Sequence, residues 1–349
     1  MNRIGERIKK KREPVKPQVI ELSEKDGVST SLHTQIEKAA QIIRDGGLVA
    51  FPTETVYGLG ANALNPVAVA KIFEMKERPS FDPLIVHIAS VEDLKQLTTK
   101  QEENVLHLAE HFWPGPLTIV LPKSKLIPDI VTSGLPTVAI RMPNNKIALE
   151  LIRRSGCPIA APSANKFGKL SPVNARHVKK QFSNIDLIID GGAANVGIES
   201  TIIIVEGNIC KILRPGVITI GDIENAMPGK FIFSTEKSGR NISPGMLNSH
   251  YSPAKPLYIL NNLQTSLPAS SGIILHGKND LNFVVEKIIY TSENHYSPEI
   301  AANLFSALHE MEETETIKQI YIEAVEPTGL GIAIMDRIKK AAYQYQTNI

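Results

Sequence analysis

Cysteine, aromatic residues and long apolar runs are all scarce in this chain of 349 residues. Its two cysteines, Cys157 and Cys210, form no C-x-x-C pair, which argues against a zinc ribbon or a disulfide framework and fits a reducing compartment. No run approaches the roughly 18 apolar residues that a membrane-spanning helix needs. From these absences we expect a cytoplasmic protein that makes no membrane contact.

Charge of one sign is not in excess either, because 38 basic residues face 36 acidic ones and the formal net charge is +2. This balance does not by itself imply a polyanionic partner. Basic residues do concentrate in the first 18 positions, without the apolar segment of a secretory signal. We interpret residues 1–30 as a flexible, solvated basic tail rather than an RNA-binding arm.

Common nucleotide and metal signatures are missing or out of context. There is no P-loop pattern G-x-x-x-x-G-K-[ST], so an ATP site here must be of another type. Gly58–Ala63 matches a dinucleotide fingerprint, but Thr53–Thr55 separates it from the preceding predicted strand, so we interpret it as a tight loop beside a ligand. His107–His111 matches an inverted zinc-protease signature. Because Trp113-Pro114 must end that helix, we interpret these histidines as residues near a helix C-terminus.

The spacing of apolar residues predicts alternating helices and strands from about residue 31. Leu32–Asp45 has helical spacing and is followed by Gly46-Gly47, and a buried strand is predicted at Leu48–Phe51. Similar alternation predicts an α/β domain with a mixed sheet over residues 31–228. The periodicity lapses over residues 229–255, which we interpret as an interdomain linker. A smaller Rossmann-like α/β domain is expected over residues 256–349.

Polar residues cluster near the ends of several predicted strands, where α/β sheets bind ligands. Lys76 and Arg78 precede one strand, Arg141 ends another, and Arg214 follows a late pair. Arginine suits planar capture of carboxylate or phosphate, and lysine suits a point contact to phosphate. Ser163 lacks the G-x-S-x-G elbow of a nucleophile, so we interpret it as a donor to an anion. Four cations without a nucleophile favour charge-neutralising transfer at phosphorus.

Several motifs in one order resemble a known family. Lys76-Glu-Arg78 and Ser163-Ala-Asn165 resemble the K-x-R and S-x-N signature of the YrdC-like threonylcarbamoyl-AMP synthases. The segments 243–253 and 329–337 are similar to the linker and terminal motif of that family's two-domain form. The resemblance spans about residues 31–345. It implies an open twisted α/β sheet around a cationic cavity, with the linker as a lid.

The resemblance also implies an activity: L-threonine, bicarbonate or CO2, and ATP give L-threonylcarbamoyl-AMP and pyrophosphate. The product would pass to a tRNA threonylcarbamoyl transferase complex, for modification of an adenosine next to the anticodon. Mg²⁺ would accompany ATP. The implied catalytic residues are Lys76 and Arg78. The implied threonine site comprises Thr55, His87, Arg141, Ala161 and Ser200, and the ATP site Arg78, Asp82, Thr137, Ser163, Asn165, Ser171, Arg214 and Tyr251.

The sequence departs from the family pattern in two places, one before a predicted strand and one in the linker. Asp82 stands where the family usually has Asn, and a carboxylate beside a triphosphate needs a cation or proton between them. Asp82 is therefore a candidate metal ligand. The linker has Leu247, Asn248 and Ser249 where basic residues are usual, so these three positions offer no cation to phosphate.

An RNA-binding module of the same fold, with weak RNA binding by the cations, is the alternative function. A related carbamoylating enzyme is disfavoured because no acylphosphatase or zinc-finger segment is present.

Overall fold

A computed structural model of the chain describes residues 18–22, 30–235, 250–260, 262, 266–279 and 282–348. These residues form two sheets, one of eleven strands and one of four, with helices packed against both. The predicted linker segment 236–249 lies outside the described residues, and so do residues 1–17 of the predicted tail.

The strands are numbered in chain order and have the following bounds: β1 Gln18–Glu21, β2 Val49–Phe51, β3 Gly58–Asn62, β4 Ile85–His87, β5 Leu117–Pro122, β6 Thr137–Arg141, β7 Ile159–Ala160, β8 Leu187–Asp190, β9 Thr201–Glu206, β10 Ile209–Arg214, β11 Ile232–Ser234, β12 Leu257–Leu260, β13 Ser271–Leu275, β14 Lys287–Tyr290 and β15 Gln319–Glu323.

The α-helices are α1 Thr30–Arg44, α2 Pro66–Lys76, α3 Leu94–Leu97, α4 Glu103–Phe112, α5 Asp129–Thr132, α6 Lys146–Ser155, α7 Ala175–Gln181, α8 Ile220–Ala226, α9 Ser297–Glu313 and α10 Gly331–Ala342. Two 3₁₀ helices cover Val91–Asp93 and Tyr343–Asn348. Among the helices described, none combines the length and the apolar character needed to cross a membrane.

The large sheet is mixed, with the strand order β1-β8-β2-β3-β7-β4-β6-β5-β9-β10-β11. Parallel pairs such as β4 with β6 alternate with antiparallel pairs such as β5 with β6. The alternation of side chains along β2 separates two cores, because Val49 and Phe51 pack in one and Ala50 in the other. The predicted open, mixed α/β sheet is therefore confirmed.

Three strands of the large sheet correct expectations from the sequence. Gln18–Glu21 pairs in parallel with β8, where a flexible tail was expected. Gly58–Asn62 pairs antiparallel with β2 and is a strand rather than a tight loop. It needs glycine because a Cβ on Gly60 would lie 2.7 Å from the Phe51 ring. Ile232–Ser234 pairs in parallel with β10, so the sheet continues beyond residue 228 into the range expected to be linker.

The small sheet is wholly parallel, with the order β12-β15-β13-β14. Helices α9 and α10 pack on it, as the predicted Rossmann-like unit requires. Its core also contains residues of the first domain, among them Val56, Val173 and Ile198. The two domains therefore share one continuous apolar core, which brings α9 and α10 close to the loops at the edge of the large sheet.

Candidate active site

Strands β4 and β6 bring two predicted site residues side by side. The two strands are parallel and adjacent, with His87 in register with Arg141. Parallel neighbours end at the same edge of a sheet, where α/β folds bind ligands. The loop after β2 and the loop before β9 approach the same edge, and together these segments enclose a cavity.

The K-x-R segment is placed by the C-terminus of α2. Asn65 caps the first turn of this helix, and Glu77 ends it in the left-handed conformation with φ of 55°. Lys76, 1% exposed, turns inward, and its Nζ donates to the carbonyl oxygens of Ser163 (2.6 Å) and Asn165. Burial and the nearby Arg78 guanidinium lower the pKa of Lys76 well below its usual range. Through these two hydrogen bonds, Lys76 fixes the loop that contains Ser163 and Asn165.

Arg78 makes a buried ion pair with Asp82, with Nη2 2.9 Å from Oδ2. Arg78 Nε also donates to the Asp82 carbonyl oxygen and Nη2 to that of Pro83, both at 3.0 Å. The ion pair lies outside hydrogen-bonding geometry, so Asp82 Oδ2 has no hydrogen-bond donor within the described residues. Burial raises the pKa of Asp82, and Arg78 and Lys76 oppose that rise. Asp82 therefore has a buried oxygen available to a further ligand.

Arg141 is fixed by the loop that follows β2. Its Nε donates to the Gly115 carbonyl oxygen at 3.2 Å and its Nη1 to Thr55 Oγ1 at 2.9 Å. The Thr53 hydroxyl donates to the Val56 carbonyl oxygen at 2.6 Å and lies 2.9 Å from Thr55 Oγ1. Because a hydroxyl has one hydrogen, Thr55 must donate to Thr53. Thr55 thus keeps one lone pair free to accept from a ligand.

His87 is buried beside Arg141, and its ring meets the Phe51 ring edge-on with centroids 6.2 Å apart. Burial, followed by the charge of Arg141, lowers the pKa of His87 to about 3. The imidazole is therefore neutral at physiological pH. Its Nδ1 has no hydrogen-bond partner within the part of the chain that the structure describes, so it is available to a ligand.

Ser200 lies in the loop before β9 and is hydrogen-bonded to Arg214, the last residue of β10. Arg214 Nε donates to the Ser200 carbonyl oxygen and Nη2 to Ser200 Oγ, both at 3.0 Å. Ser200 Oγ also lies 2.7 Å from Thr118 Oγ1. Because the Ser200 hydroxyl accepts from Arg214 and also lies beside Thr118, these two residues fix the orientation of the Ser200 side chain.

Glu199, in the same loop, joins the two domains. Its Oε2 accepts from Arg337 Nε of α10 at 2.9 Å, and its Oε1 accepts from Ser171 Oγ at 2.5 Å. Burial alone would raise the pKa of Glu199, but Arg337 and the other cationic neighbours outweigh it and lower that pKa. Neither Glu199 nor Arg337 was among the site residues predicted from the sequence.

The described end of the predicted linker lies in the cavity wall. Tyr251 is 1% exposed, has φ of 61°, and its ring contacts that of Phe305, with centroids 5.4 Å apart. His250 is also buried, and its backbone N–H donates to the Lys340 carbonyl oxygen at 3.4 Å. The cavity encloses about 50 Å³, well below the roughly 300–1,000 Å³ of typical ligand pockets. A nucleotide therefore needs part of this wall to move.

The structure gathers most of the predicted site residues. Eight of them line the cavity: Thr55, Arg78, His87, Arg141, Ala161, Ser163, Arg214 and Tyr251. Five others are bonded to residues that line it: Lys76, Asp82, Asn165, Ser171 and Ser200. Thr137 is at the opposite end of β6 from Arg141, roughly 13 Å away by strand rise, and remains a prediction. Polar residues in or beside the wall that the sequence did not predict include Thr53, Glu54, Glu199 and His250.

The expected cationic cavity is partly neutralised from within, since two of the four predicted cations, Arg78 and Arg141, face carboxylates. Arg78 faces Asp82, Arg141 faces Glu54 at 2.7 Å, and Arg337 faces Glu199. Buried arginines need such counter-charges because isolated buried charges are costly. Incoming anionic groups must therefore compete with carboxylates that are already in place.

One cluster outside the cavity has the residue types of a metal site. His177, His309 and Glu313 each offer a ligand atom, all within 4.8 Å of one another. The two imidazoles are stacked, with centroids 3.8 Å apart and an interplanar angle of 22°. Ring lone pairs lie in the ring planes, so those of stacked rings do not converge on one ion. We therefore assign no metal to this cluster.

The chain was compared with known proteins. The family described as "Telomere recombination", of Sua5, YciO and YrdC proteins, matches residues 41–216, and "Threonylcarbamoyl-AMP synthase, C-terminal domain" matches residues 218–343. The threonylcarbamoyl-AMP synthases of Pyrococcus abyssi and Bacillus subtilis are each 43% identical to it, over 88% and 91% of this chain and 94% and 95% of their own lengths. This chain belongs to the threonylcarbamoyl-AMP synthase family.

The crystal structure of P. abyssi Sua5 complexed with L-threonine has the same fold as this synthase-family chain. The TM-score is 0.84 and the identity 41%, over 93% of this chain and 97% of that one. The family resemblance and the two-part α/β fold expected from the sequence are both confirmed. The coverage also shows that the likeness to two-domain members extends through both sheets.

Proposed function

We propose that this chain condenses L-threonine, bicarbonate or CO2, and ATP into L-threonylcarbamoyl-AMP, with release of pyrophosphate. The observation that carries this proposal is the meeting of Thr55, His87 and Arg141 at one sheet edge, directly beside Arg78 and Arg214. The first three residues suit a small hydroxy amino acid, and the two arginines beside them suit phosphates. The relatives' names and the threonine bound to P. abyssi Sua5 support the same activity.

The threonine carboxylate would lie on Arg141, whose planar guanidinium suits bidentate contact. Thr55 offers one acceptor lone pair, and neutral His87 offers Nδ1, so the substrate hydroxyl and amine have partners. A site built from such buried polar groups rejects analogues that lack the hydroxyl, because its own groups are then left unpaired. Ala161 completes this side of the cavity, and Ser200 lies behind Arg214, to which its hydroxyl is bonded.

ATP would occupy the side bounded by Arg78, Ser163 and Arg214, with Asn165 and Ser171 behind them. The threonine amine loses a proton and forms a carbamate with CO2. A carbamate oxygen then attacks the α-phosphorus of ATP, the bond to the β-phosphate oxygen breaks, and pyrophosphate leaves. The arginines stabilise the negative charge on the transferring group, and Lys76 holds the loop that positions it.

Asp82 fits an Mg²⁺ that is held mainly by the triphosphate. The ion prefers oxygen ligands and often takes one or two carboxylates together with substrate phosphates. Asp82 Oδ2 is buried and without a hydrogen-bond donor in the described residues. Bound Mg²⁺ would neutralise phosphate charge, and Asp82 would separate from Arg78 and release that guanidinium for phosphate.

The linker would act as a lid over the nucleotide. His250 and Tyr251 already form part of the cavity wall, and the enclosed volume is too small for ATP. Opening would admit ATP, and closure would keep water from the labile adenylate. The product would then pass to a transferase that modifies tRNA.

The proposal is tested by pyrophosphate release from ATP by the full chain. Release should require both L-threonine and bicarbonate. Equal release with serine, with valine or without an amino acid would contradict the proposed substrate. RNA binding that falls steeply with salt, in the absence of any pyrophosphate release, would support the RNA-binding alternative instead.

A further inference from the structure

Glu54 is a buried carboxylate beside the cavity to which the mechanism above assigns no role. It is 6% exposed, and neither of its carboxylate oxygens has a hydrogen-bond partner within the described residues. Its backbone is fixed, since its carbonyl oxygen accepts from the Val196 N–H at 2.8 Å. Its neighbours Thr53 and Thr55 both line the cavity. A carboxylate charge in such a place is costly to bury unless a counter-charge lies beside it.

Within the described residues, the charge partner of Glu54 is Arg141. Glu54 Oε1 lies 2.7 Å from Arg141 Nη2, and both side chains are about equally buried. This contact lies outside hydrogen-bonding geometry, so Nη2 makes no hydrogen bond to any described residue. Arg141 is therefore neutralised by Glu54 while Nη2 keeps its N–H groups for a ligand.

This arrangement matters because the proposed reaction brings several anions into one cavity. A zwitterionic amino acid presents a carboxylate to Arg141 and an ammonium close by, about 2.5 Å from the carboxylate carbon by covalent geometry. The Arg141–Glu54 pair has no net charge, so it gains little from a simple anion. The ammonium of an amino acid, in contrast, is attracted by Glu54, and buried charges interact strongly over several ångströms.

We propose that Glu54 is a specificity-determining residue that reserves Arg141 for zwitterionic amino acids and keeps simple anions, including the co-substrate bicarbonate, from occupying it. The inference rests on the proposed function, since it takes Arg141 as the carboxylate site. Glu54 acts here through its charge and needs no direct contact with substrate. Removing that charge turns the pair into a net cation, which binds simple anions more tightly and zwitterions less tightly.

The test compares two ligands that differ only in the amine: L-threonine and (R)-3-hydroxybutyrate, the same skeleton without its amino group. Binding of each to the full chain is measured by calorimetry without ATP. The wild type should prefer threonine. In Glu54→Gln the ratio of the two affinities should fall by at least about tenfold, which corresponds to roughly 1.4 kcal/mol. Glu54→Asp keeps the charge and should preserve the ratio within about threefold.

A purely structural role gives a different result. If Glu54 only held Arg141 in place, Glu54→Gln would weaken both ligands by the same factor, and an unchanged ratio would overturn the proposal. Competition by bicarbonate is the second measurement. Added bicarbonate should weaken the binding of threonine to Glu54→Gln but not to the wild type. Equal competition in both proteins would also overturn it. A wild type that binds no threonine at all would contradict the proposed function itself. That outcome differs from an unchanged affinity ratio, so the two failures can be told apart.

Discussion

Arg337 of the small domain donates a 2.9 Å hydrogen bond to Glu199, in the loop that forms the cavity wall. Its guanidinium also lies 5.5 Å from the centroid of the Tyr251 ring, and its Nη1 donates to the Pro215 carbonyl oxygen at 2.8 Å. The fully buried Arg337 thus links the small domain both to the site loop and to the end of the linker.

Arg337→Met should destabilise the fold and weaken ATP binding together. Removing one partner of a buried ion pair leaves an unpaired charge, here Glu199, and costs about 3–5 kcal/mol. Glu199 would then no longer orient Ser171, a predicted ATP contact. Denaturant unfolding and the KM for ATP measure the two effects.

Arg176→Met is the matched control, since Arg176 makes a more exposed ion pair with Glu313 across the same domain boundary. Such pairs contribute about 0–1 kcal/mol, so this variant should behave almost as the wild type. If Arg337→Met also unfolds like the wild type and keeps its KM for ATP, the buried contact does not couple the small domain to the site.

Tyr251→Ala should lower the rate of adenylate formation more than it weakens ATP binding. Tyr251, at the described end of the linker, forms part of the cavity wall and packs on Phe305. Its loss should therefore leave the adenylate open to water. ATP should protect the wild-type linker from protease and protect Tyr251→Ala less. Tyr296→Ala, at a side chain that is 59% exposed, is the control. Full synthesis by Tyr251→Ala, with no protection of the wild-type linker by ATP, would rule out a lid.

Asp82→Asn should increase the Mg²⁺ concentration required for half-maximal activity by roughly tenfold, because one carboxylate ligand is lost. Binding of Mn²⁺ in the presence of ATP, followed by electron paramagnetic resonance, should weaken in parallel. Asp129→Asn, at a side chain that is 84% exposed, should change neither quantity. If Asp82→Asn has wild-type metal dependence by both measurements, Asp82 serves as the partner of Arg78 and holds no metal.

Acid should destabilise the protein through the stacked histidines between the domains. Burial, with neighbouring cations, lowers the pKa of His177 to about 3, and burial lowers that of His309 to about 4. Because the unfolded rings titrate near 6.5, the unfolded state takes up protons first as pH falls, and stability decreases between about pH 6.5 and pH 4. Each ring should cost of the order of 3 kcal/mol by pH 4.

Unfolding free energies of wild type and His309→Gln, measured from pH 7 to pH 4, test this linkage. The variant should have a flatter pH dependence over that window. His111→Gln is the control, since the exposed His111 ring bonds only to the His107 carbonyl oxygen at the end of α4. Parallel curves for wild type and His309→Gln would show that the buried pair does not titrate as described.

The sequence predicted the elements whose periodicity is strong, and motifs predicted the residues that line the cavity. Helix α1 was predicted at Leu32–Asp45 and lies at Thr30–Arg44, because its apolar residues repeat at helical spacing and Gly46-Gly47 follows it. Strand β3 was not predicted, because its glycines have little strand preference and are required by the Phe51 ring. Strand β1 is short and mostly exposed, and only pairing with β8 explains it.

The ion pairs of the site could not be predicted, because they depend on tertiary distances. Glu54 and Glu199 are adjacent in sequence to residues that were assigned roles, but adjacency does not show which arginine a carboxylate faces. The structure pairs Glu54 with Arg141 and Glu199 with Arg337, the latter 138 positions away. The resemblance suggested cations, whereas the structure shows that two of them, Arg78 and Arg141, are each paired with a carboxylate.

The most direct test of the central claim is identification of the product formed from ATP, carbon-13-labelled bicarbonate and L-threonine. The account predicts an adenylate that contains both the threonine skeleton and one labelled carbon, formed with one equivalent of pyrophosphate. An adenylate without labelled carbon, or pyrophosphate release with no adenylate of threonine, would contradict it.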